Sequence, residues 1–76
     1  NIRVNCIAPG LIKTEFSKAL WDDRDTYETY MRSTPLKRAG TPEEIAGAAV
    51  FLAGPSGSFV TGQTLVVDGG TTIQGV

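Results

Sequence analysis

The stretch from Thr41 to Gly54 limits the chain's options more than any other. Thr41-Pro42-Glu43-Glu44 combines an N-cap hydroxyl, proline at the first helical position and glutamate at the third. Ile45, Ala48, Ala49 and Leu52 then recur at i, i+3, i+4 and i+7, with Val50 and Phe51 widening the stripe. Gly54-Pro55 stops the run. The pattern predicts a well-buried helix with small residues on its face, suited to close packing. Such a helix needs a layer to pack on, and the flanking segments offer one.

Ahead of it, Ile2 to Ala8 is short, rich in β-formers and closed by Pro9-Gly10. Ile2, Val4, Cys6 and Ala8 share one face, and Arg3, Asn5 and Ile7 the other, which predicts a strand. Pro9 cannot continue a central strand, and Gly10 permits a sharp exit. Beyond the helix, a Gly/Ser connector from Ser56 to Gly62 leads into Thr64-Leu65-Val66-Val67, which ends at Asp68-Gly69-Gly70. Its continuous apolar run suits a strand buried on both faces, as in a parallel sheet. Between the first strand and the capped helix, residues 11–38 carry two helical groupings: Phe16, Ala19 and Leu20, then Tyr27, Tyr30 and Met31. Asp22-Asp23-Arg24-Asp25 separates them, so two short helices joined by an acidic turn are expected. Thr71 to Val76 reads as a tail.

Two strands joined through a helix form a parallel crossover of the α/β kind. A two-stranded parallel sheet cannot cover both its faces, and a chain of 76 residues buries only about 60% of its unfolded surface. The expectation is therefore one end of a doubly wound domain, with its missing neighbours in a longer chain. Asn1, rather than Met, opens directly on an apolar run, which fits a piece of a longer protein. Composition excludes several chemistries. A net charge of −1 leaves no electrostatic footprint for nucleic acid or an anionic membrane surface. Nothing approaches the roughly 18 apolar residues of a membrane span. One cysteine and no histidine rule out a disulfide framework, a Cys/His metal site and histidine-based nucleophilic catalysis.

In open α/β sheets ligands bind beyond the carboxyl ends of the strands, where Pro9-Gly10 and Asp68-Gly69-Gly70 fall. Thr14 offers a hydroxyl nearby, although residue chemistry alone favours ordinary turns at both places. Gly54, Gly57 and Gly62 do not make a phosphate loop, because they follow a helix, enter a strand and lack a Gly-Lys-Ser/Thr. Cys6 is expected to pack as a small hydrophobe. Glu43 and Glu44 suit a helix N-terminus rather than an acid/base pair. The group Phe16, Trp21, Tyr27, Tyr30 and Met31 is divided evenly between core packing and an apolar lid over a ligand crevice.

Taken together, Arg3-Val4-Asn5 through Ala8-Pro9-Gly10 and Thr14, then Thr41-Pro42-Glu43-Glu44-Ile45-Ala46, then Val60-Thr61-Gly62-Gln63 through Val67-Asp68-Gly69-Gly70, resemble the short-chain dehydrogenase/reductases. The likeness runs from Asn1 to Gly70 in order and spacing. Gly10-Leu11-Ile12-Lys13-Thr14 with Phe16-Ser17 and Leu20-Trp21 is similar to the NADP-dependent carbonyl and retinal reductase branch. The resemblance implies the C-terminal part of a Rossmann-type domain: the sixth and seventh strands, the last large helix and the substrate lid over residues 11–38. It implies that Pro9, Gly10, Ile12 and Thr14 contact NADP or NAD near the nicotinamide. It also implies that Phe16, Leu20, Trp21, Tyr27, Tyr30 and Met31 form the lid, and that the last helix and strand serve a subunit interface in a tetramer.

The departures are equally informative. The glycine-rich pyrophosphate turn is absent, as is the catalytic Tyr-x-x-x-Lys with its serine. Tyr27 and Tyr30 do not substitute, because Met31 and Thr34 stand where lysine is needed. The expectation is an NAD(P)-dependent oxidoreductase that interconverts an alcohol and a carbonyl on a small-molecule substrate. In it these residues supply a cofactor edge and a lid, and would be inactive alone. The alternative is a non-catalytic interaction or oligomerisation fragment derived from such an enzyme. With no peroxisomal tripeptide in Ile73-Gln74-Gly75-Val76, the cytoplasm is the expected location.

Overall fold

The computed structural model describes residues 1–73. Its elements run β1 (Cys6–Pro9), α1 (Lys18–Trp21), α2 (Arg24–Met31), α3 (Pro42–Ala53) and β2 (Thr64–Val67), with 3-10 turns at Pro55–Gly57 and Thr71–Ile73. β1 and β2 pair in parallel, Cys6 opposite Thr64 and Pro9 opposite Val67. α3 forms the crossover and packs on both strands.

Local chemistry accounts for the helices. In α3 the Thr41 side chain accepts from the Glu44 N–H while the Glu44 carboxylate accepts from the Thr41 N–H, a complete capping box behind Pro42. α2 begins at Asp23, whose carboxylate accepts from the Thr26 N–H at 3.0 Å and its hydroxyl at 2.6 Å. The acidic break is thus shorter than expected, since Arg24 and Asp25 already belong to the helix. At its other end Lys37, with φ of 59°, curls its Nζ back onto the carbonyls of Met31 and Arg32.

Burial departs from the sequence reading. The strand expected over Ile2–Ala8 forms a ladder only from Cys6, and Ile2 and Val4 are 89% and 69% exposed. β2 starts at Thr64, so residues 3–5 lie opposite a connector and bond individually to it and to the last turn of α3. Arg3 Nη1 donates to the carbonyls of Leu52 and Val60, and Asn5 donates to Val60 O and accepts from the Gln63 N–H. Pro9 ends the ladder as its last rung; its missing N–H is tolerated because Gly10 makes the next bond, to Val67 O.

α3 is not the well-buried helix expected. Leu52 is buried and Ile45 and Ala48 are half-buried, whereas Ala49, Val50 and Phe51 are exposed. β2 is likewise not buried on both faces: Leu65 and Val67 are half-buried, Thr64 and Val66 exposed. The physical reason is width, because a sheet of two strands covers one stripe of a helix and leaves its own outer face bare. Cys6 is exposed rather than packed, since the described residues supply no second layer over that end of the sheet. Among the described residues the buried apolar side chains are Met31, Ala39 and Leu52, with Thr34 the buried polar one. Of the expected tail, Thr71 is half-buried and bonds to Thr34, and positions 74–76 lie outside the described residues.

Asn5 bridges the first strand to the connector through both its amide atoms. Asn5→Ala in the full-length protein is expected to lower stability by about 0.5–1.5 kcal/mol, as the Gln63 N–H loses its partner and Val60 O keeps only Arg3. Thermal unfolding checks this, and an unchanged midpoint counts against the bridge.

Candidate functional site

The parallel ladder brings both strand ends to one edge of the sheet. Gly10 donates its N–H to Val67 O at 2.9 Å, which seats it directly beside Asp68. A Cβ on Gly10 would lie 2.8 Å from both Cα and Cβ of Asp68, so only glycine fits without a backbone shift. Asp68 is itself fixed: Oδ1 accepts from the Gly70 N–H at 2.8 Å and Oδ2 from the Thr72 N–H at 2.9 Å. The bond from Thr72, with help from Gly70, holds the carboxyl below its ordinary range.

From Gly10 the chain runs into a loop held from two sides. On one side Gly40 donates to Leu11 O and accepts from the Lys13 N–H, each at 2.9 Å, a one-rung parallel bridge with Ile12. Such a rung uses the groups flanking Ile12, so the N–H and carbonyl of Ile12 point the opposite way. On that side the carbonyl accepts from the Ser17 hydroxyl, while the N–H has no partner among the described residues. Thr14 and Ser17 cap one another: the Thr14 N–H donates to Ser17 Oγ at 3.1 Å and the Ser17 N–H to Thr14 Oγ1 at 3.2 Å. Trp21 Nε1 donates to Thr14 O at 2.8 Å, and Lys13 Nζ sits 4.8 Å from the centre of that indole.

The proposed site residues thus separate into groups. Pro9, Gly10, Ile12 and Thr14 gather at the sheet edge. Trp21 and Tyr27 are engaged within the chain, Tyr27 by accepting the Ala39 N–H at 3.0 Å. Met31 is core, 7% exposed, while Phe16, Leu20 and Tyr30 present open surface. A cleft of about 90 Å³ lies between Leu11, Ile12, Met31, Thr34, Gly40 and Asp68. Among the described residues no group of His, Cys, Asp and Glu could hold a metal ion. No described helix is long and apolar enough to cross a membrane.

Three contributors escaped the residue reading: Ser17, Gly40 and the Arg38–Glu44 pair. Ser17 had a local signal in its i, i+3 spacing from Thr14. Arg38 had one in its position just ahead of the capping box. Gly40 had none, because its partner is distant in sequence. Arg38 meets Glu44 through two parallel bonds of 2.8 Å, Nη1 to Oε1 and Nη2 to Oε2. The guanidinium bond, then the Thr41 N–H, hold the Glu44 carboxyl down at about 2.

The family model described as enoyl-(acyl carrier protein) reductase matches residues 1–72. Dehydrogenase/reductase SDR family member 4 of Oryctolagus cuniculus is 54% identical over 70 residues, covering 92% of this chain and 27% of that protein. The 3-oxoacyl-[acyl-carrier-protein] reductase FabG of Chlamydia muridarum is 56% identical over 70 residues, with the same coverage of 92% and 27%. Among solved structures, a gluconate 5-dehydrogenase from Burkholderia cenocepacia J2315 in complex with NADP and tartrate superposes with a TM-score of 0.85. It is 45% identical and covers 93% of this chain and 28% of that one. A 4-hydroxyisoleucine dehydrogenase complexed with NADH gives a TM-score of 0.92 at 33% identity, covering 96% and 30%. The chain belongs to the short-chain dehydrogenase/reductase family, and its α/β fold is part of a Rossmann-type domain. It spans about a quarter of the length of the curated relatives it matches.

Glu44 generates a pH prediction. Its carboxyl is lowered from 4.5 to about 2, so the stability it contributes is complete above 4.5 and is lost as pH falls through about 2. Asp23, lowered by its side-chain bond from Thr26, and Asp68 act in the same direction. In the full-length protein the melting-point gap between wild type and Glu44→Gln is expected to close as pH falls from 5 to about 2. A gap independent of pH across that range contradicts the assignment.

Proposed function

We propose that the chain is the C-terminal part of an NAD(P)-dependent oxidoreductase that interconverts an alcohol and a carbonyl on a small-molecule substrate. The carrying observation is the Leu11–Thr14 loop at the carboxyl edge of the parallel strands, with the Ile12 N–H turned away from its own bridge and unpartnered among the described residues. That donor and the Thr14 hydroxyl fit a polar cofactor edge, and the absence of a side chain at Gly10 lets Asp68 pack directly against the start of the loop. NADP or NAD, when bound, supplies the hydride chemistry. Pro9 and Gly10 set the exit of the strand, Ile12 offers the donor, and Thr14 offers a hydroxyl already fixed by Ser17. Residues 11–38, with Phe16, Leu20 and Tyr30 open to solvent, are read as the substrate lid. The likeness to a carbonyl reductase branch and a cytoplasmic location belong to the same proposal. Proton transfer needs groups this segment lacks, so activity belongs to the complete enzyme.

Thr14→Val tests the reading in the full-length protein. Losing the hydroxyl is expected to weaken cofactor binding by on the order of 0.5–1.5 kcal/mol and to slow turnover. Loss of the bond from the Ser17 N–H lowers the melting point as well, so cofactor affinity is the deciding quantity. A lowered melting point beside unchanged cofactor affinity and turnover removes Thr14 from the site.

The exposed apolar residues Val50 on α3, at 71%, and Val66 on β2, at 45%, support reading these two elements as parts of the subunit interface of a tetramer. The double variant Ala49→Glu/Val66→Lys is expected to abolish the tetramer or the fold, because buried unpaired charge is costly. Retention of a tetramer of wild-type stability, read by light scattering and thermal melts, ends the interface reading.

A further inference from the structure

We infer that the Arg38–Glu44 pair is a positioning device for cofactor binding, acting through Gly40 on the Ile12 N–H; this rests on the loop reading above. The two parallel bonds of the pair close residues 38–44 into a ring. Arg38 Nη1 also donates to Ala39 O at 3.1 Å inside that ring, and Glu44 Oε1 accepts from the Thr41 N–H at 2.9 Å. Gly40 sits in the middle, with its neighbour Ala39 tied down by the Tyr27 hydroxyl.

Gly40 is the group that orients Ile12. Its N–H and carbonyl hold the residues on either side of Ile12, and a Cβ on Gly40 would fall 2.8 Å from Ile12 Cδ1. The Ile12 side chain therefore lies directly over the Gly40 backbone. Motion of Gly40 turns the peptide planes on both sides of Ile12, and with them the direction of its N–H. A planar fork on a carboxylate restrains direction as well as distance, which a single point charge does not. The pair is exposed, with side chains 51% and 42% accessible, so it stabilises little by attraction alone. Its geometry is a better account of its presence than its energy.

Glu44→Gln separates the clamp from the helix cap. The amide oxygen still accepts from the Thr41 N–H, while the second parallel bond to Arg38 is lost. In the full-length enzyme this variant is expected to raise KM for the nicotinamide cofactor roughly five- to tenfold, the loss of one oriented hydrogen bond. KM for the substrate should move far less. Arg38→Lys, which keeps the charge and loses the fork, should reproduce the effect, whereas a purely electrostatic role predicts that it restores wild-type kinetics. Ala46→Gly controls for instability: it weakens α3 at an exposed position away from the ring, and should lower the melting point with cofactor KM unchanged. Thr14→Val is measured alongside. If it raises cofactor KM and Glu44→Gln does not, the clamp is overturned and the loop reading stands. If neither variant moves it, the loop reading fails and takes the clamp with it.

Discussion

The parallel pairing of Cys6–Pro9 with Thr64–Val67 is the constraint on which everything else depends. Two strands running the same way cannot be joined by a tight turn, so residues 10–63 must return across the sheet as a crossover. Both carboxyl ends then emerge at one edge, and Gly10 and Asp68 meet there at a distance that excludes a Cβ. The site is a consequence of strand direction before any side chain is considered. What side chains add is orientation. The loop leaving Gly10 would be free to wander, but Gly40 on one side and Ser17 on the other leave Ile12 a single way to face.

How much of this was legible in the sequence depends on the range of the interaction. The capping box of α3 needs only Thr41 and Glu44, three residues apart, and was readable because both halves lie in one turn. The strand ends and the acidic break were readable for the same reason, to within a few residues. Burial was not. The stripe Ile45, Ala48, Ala49, Leu52 reads as a core face, but Ala49 is exposed because the sheet beneath is only two strands wide. Ile2 and Val4 alternate like strand residues, yet the segment opposite them is a connector. Periodicity records which side chains avoid water; it does not say whether the covering layer is present.

The site divides along the same line. Pro9, Gly10, Ile12 and Thr14 were named as cofactor contacts through resemblance alone, since a turn with a nearby hydroxyl is too common to identify a ligand. The residues that orient them were missed, because the Gly40–Ile12 rung joins two turns with no periodic signal between them. Thr14 shows why a motif position needs its geometry. Its hydroxyl accepts from the Ser17 N–H, so it caps a turn whatever else it does. A motif threonine can thus serve the fold and a ligand together, and only separate measurements of stability and affinity apportion the two.

The balance of satisfied and unsatisfied groups gives the physical character of this segment. Among the described residues no buried side-chain polar atom lacks a hydrogen-bond partner. Apolar groups show the opposite: Phe16, Val50, Leu36, Phe59 and Ile73 stand open to solvent. Hydrogen bonds are directional and can be completed within a short segment, which is how this one holds a defined loop. Hydrophobic burial is a matter of area, and a two-stranded parallel sheet with one helix cannot enclose enough of it. Geometry at the strand-end loop is therefore set locally, by Gly40 and Ser17 with the Arg38–Glu44 pair beside them, whereas the apolar faces of β1, β2 and α3 are left without a covering layer among the described residues. A substitution in the first set should alter affinity more than melting point, and one on the exposed apolar faces should do the reverse.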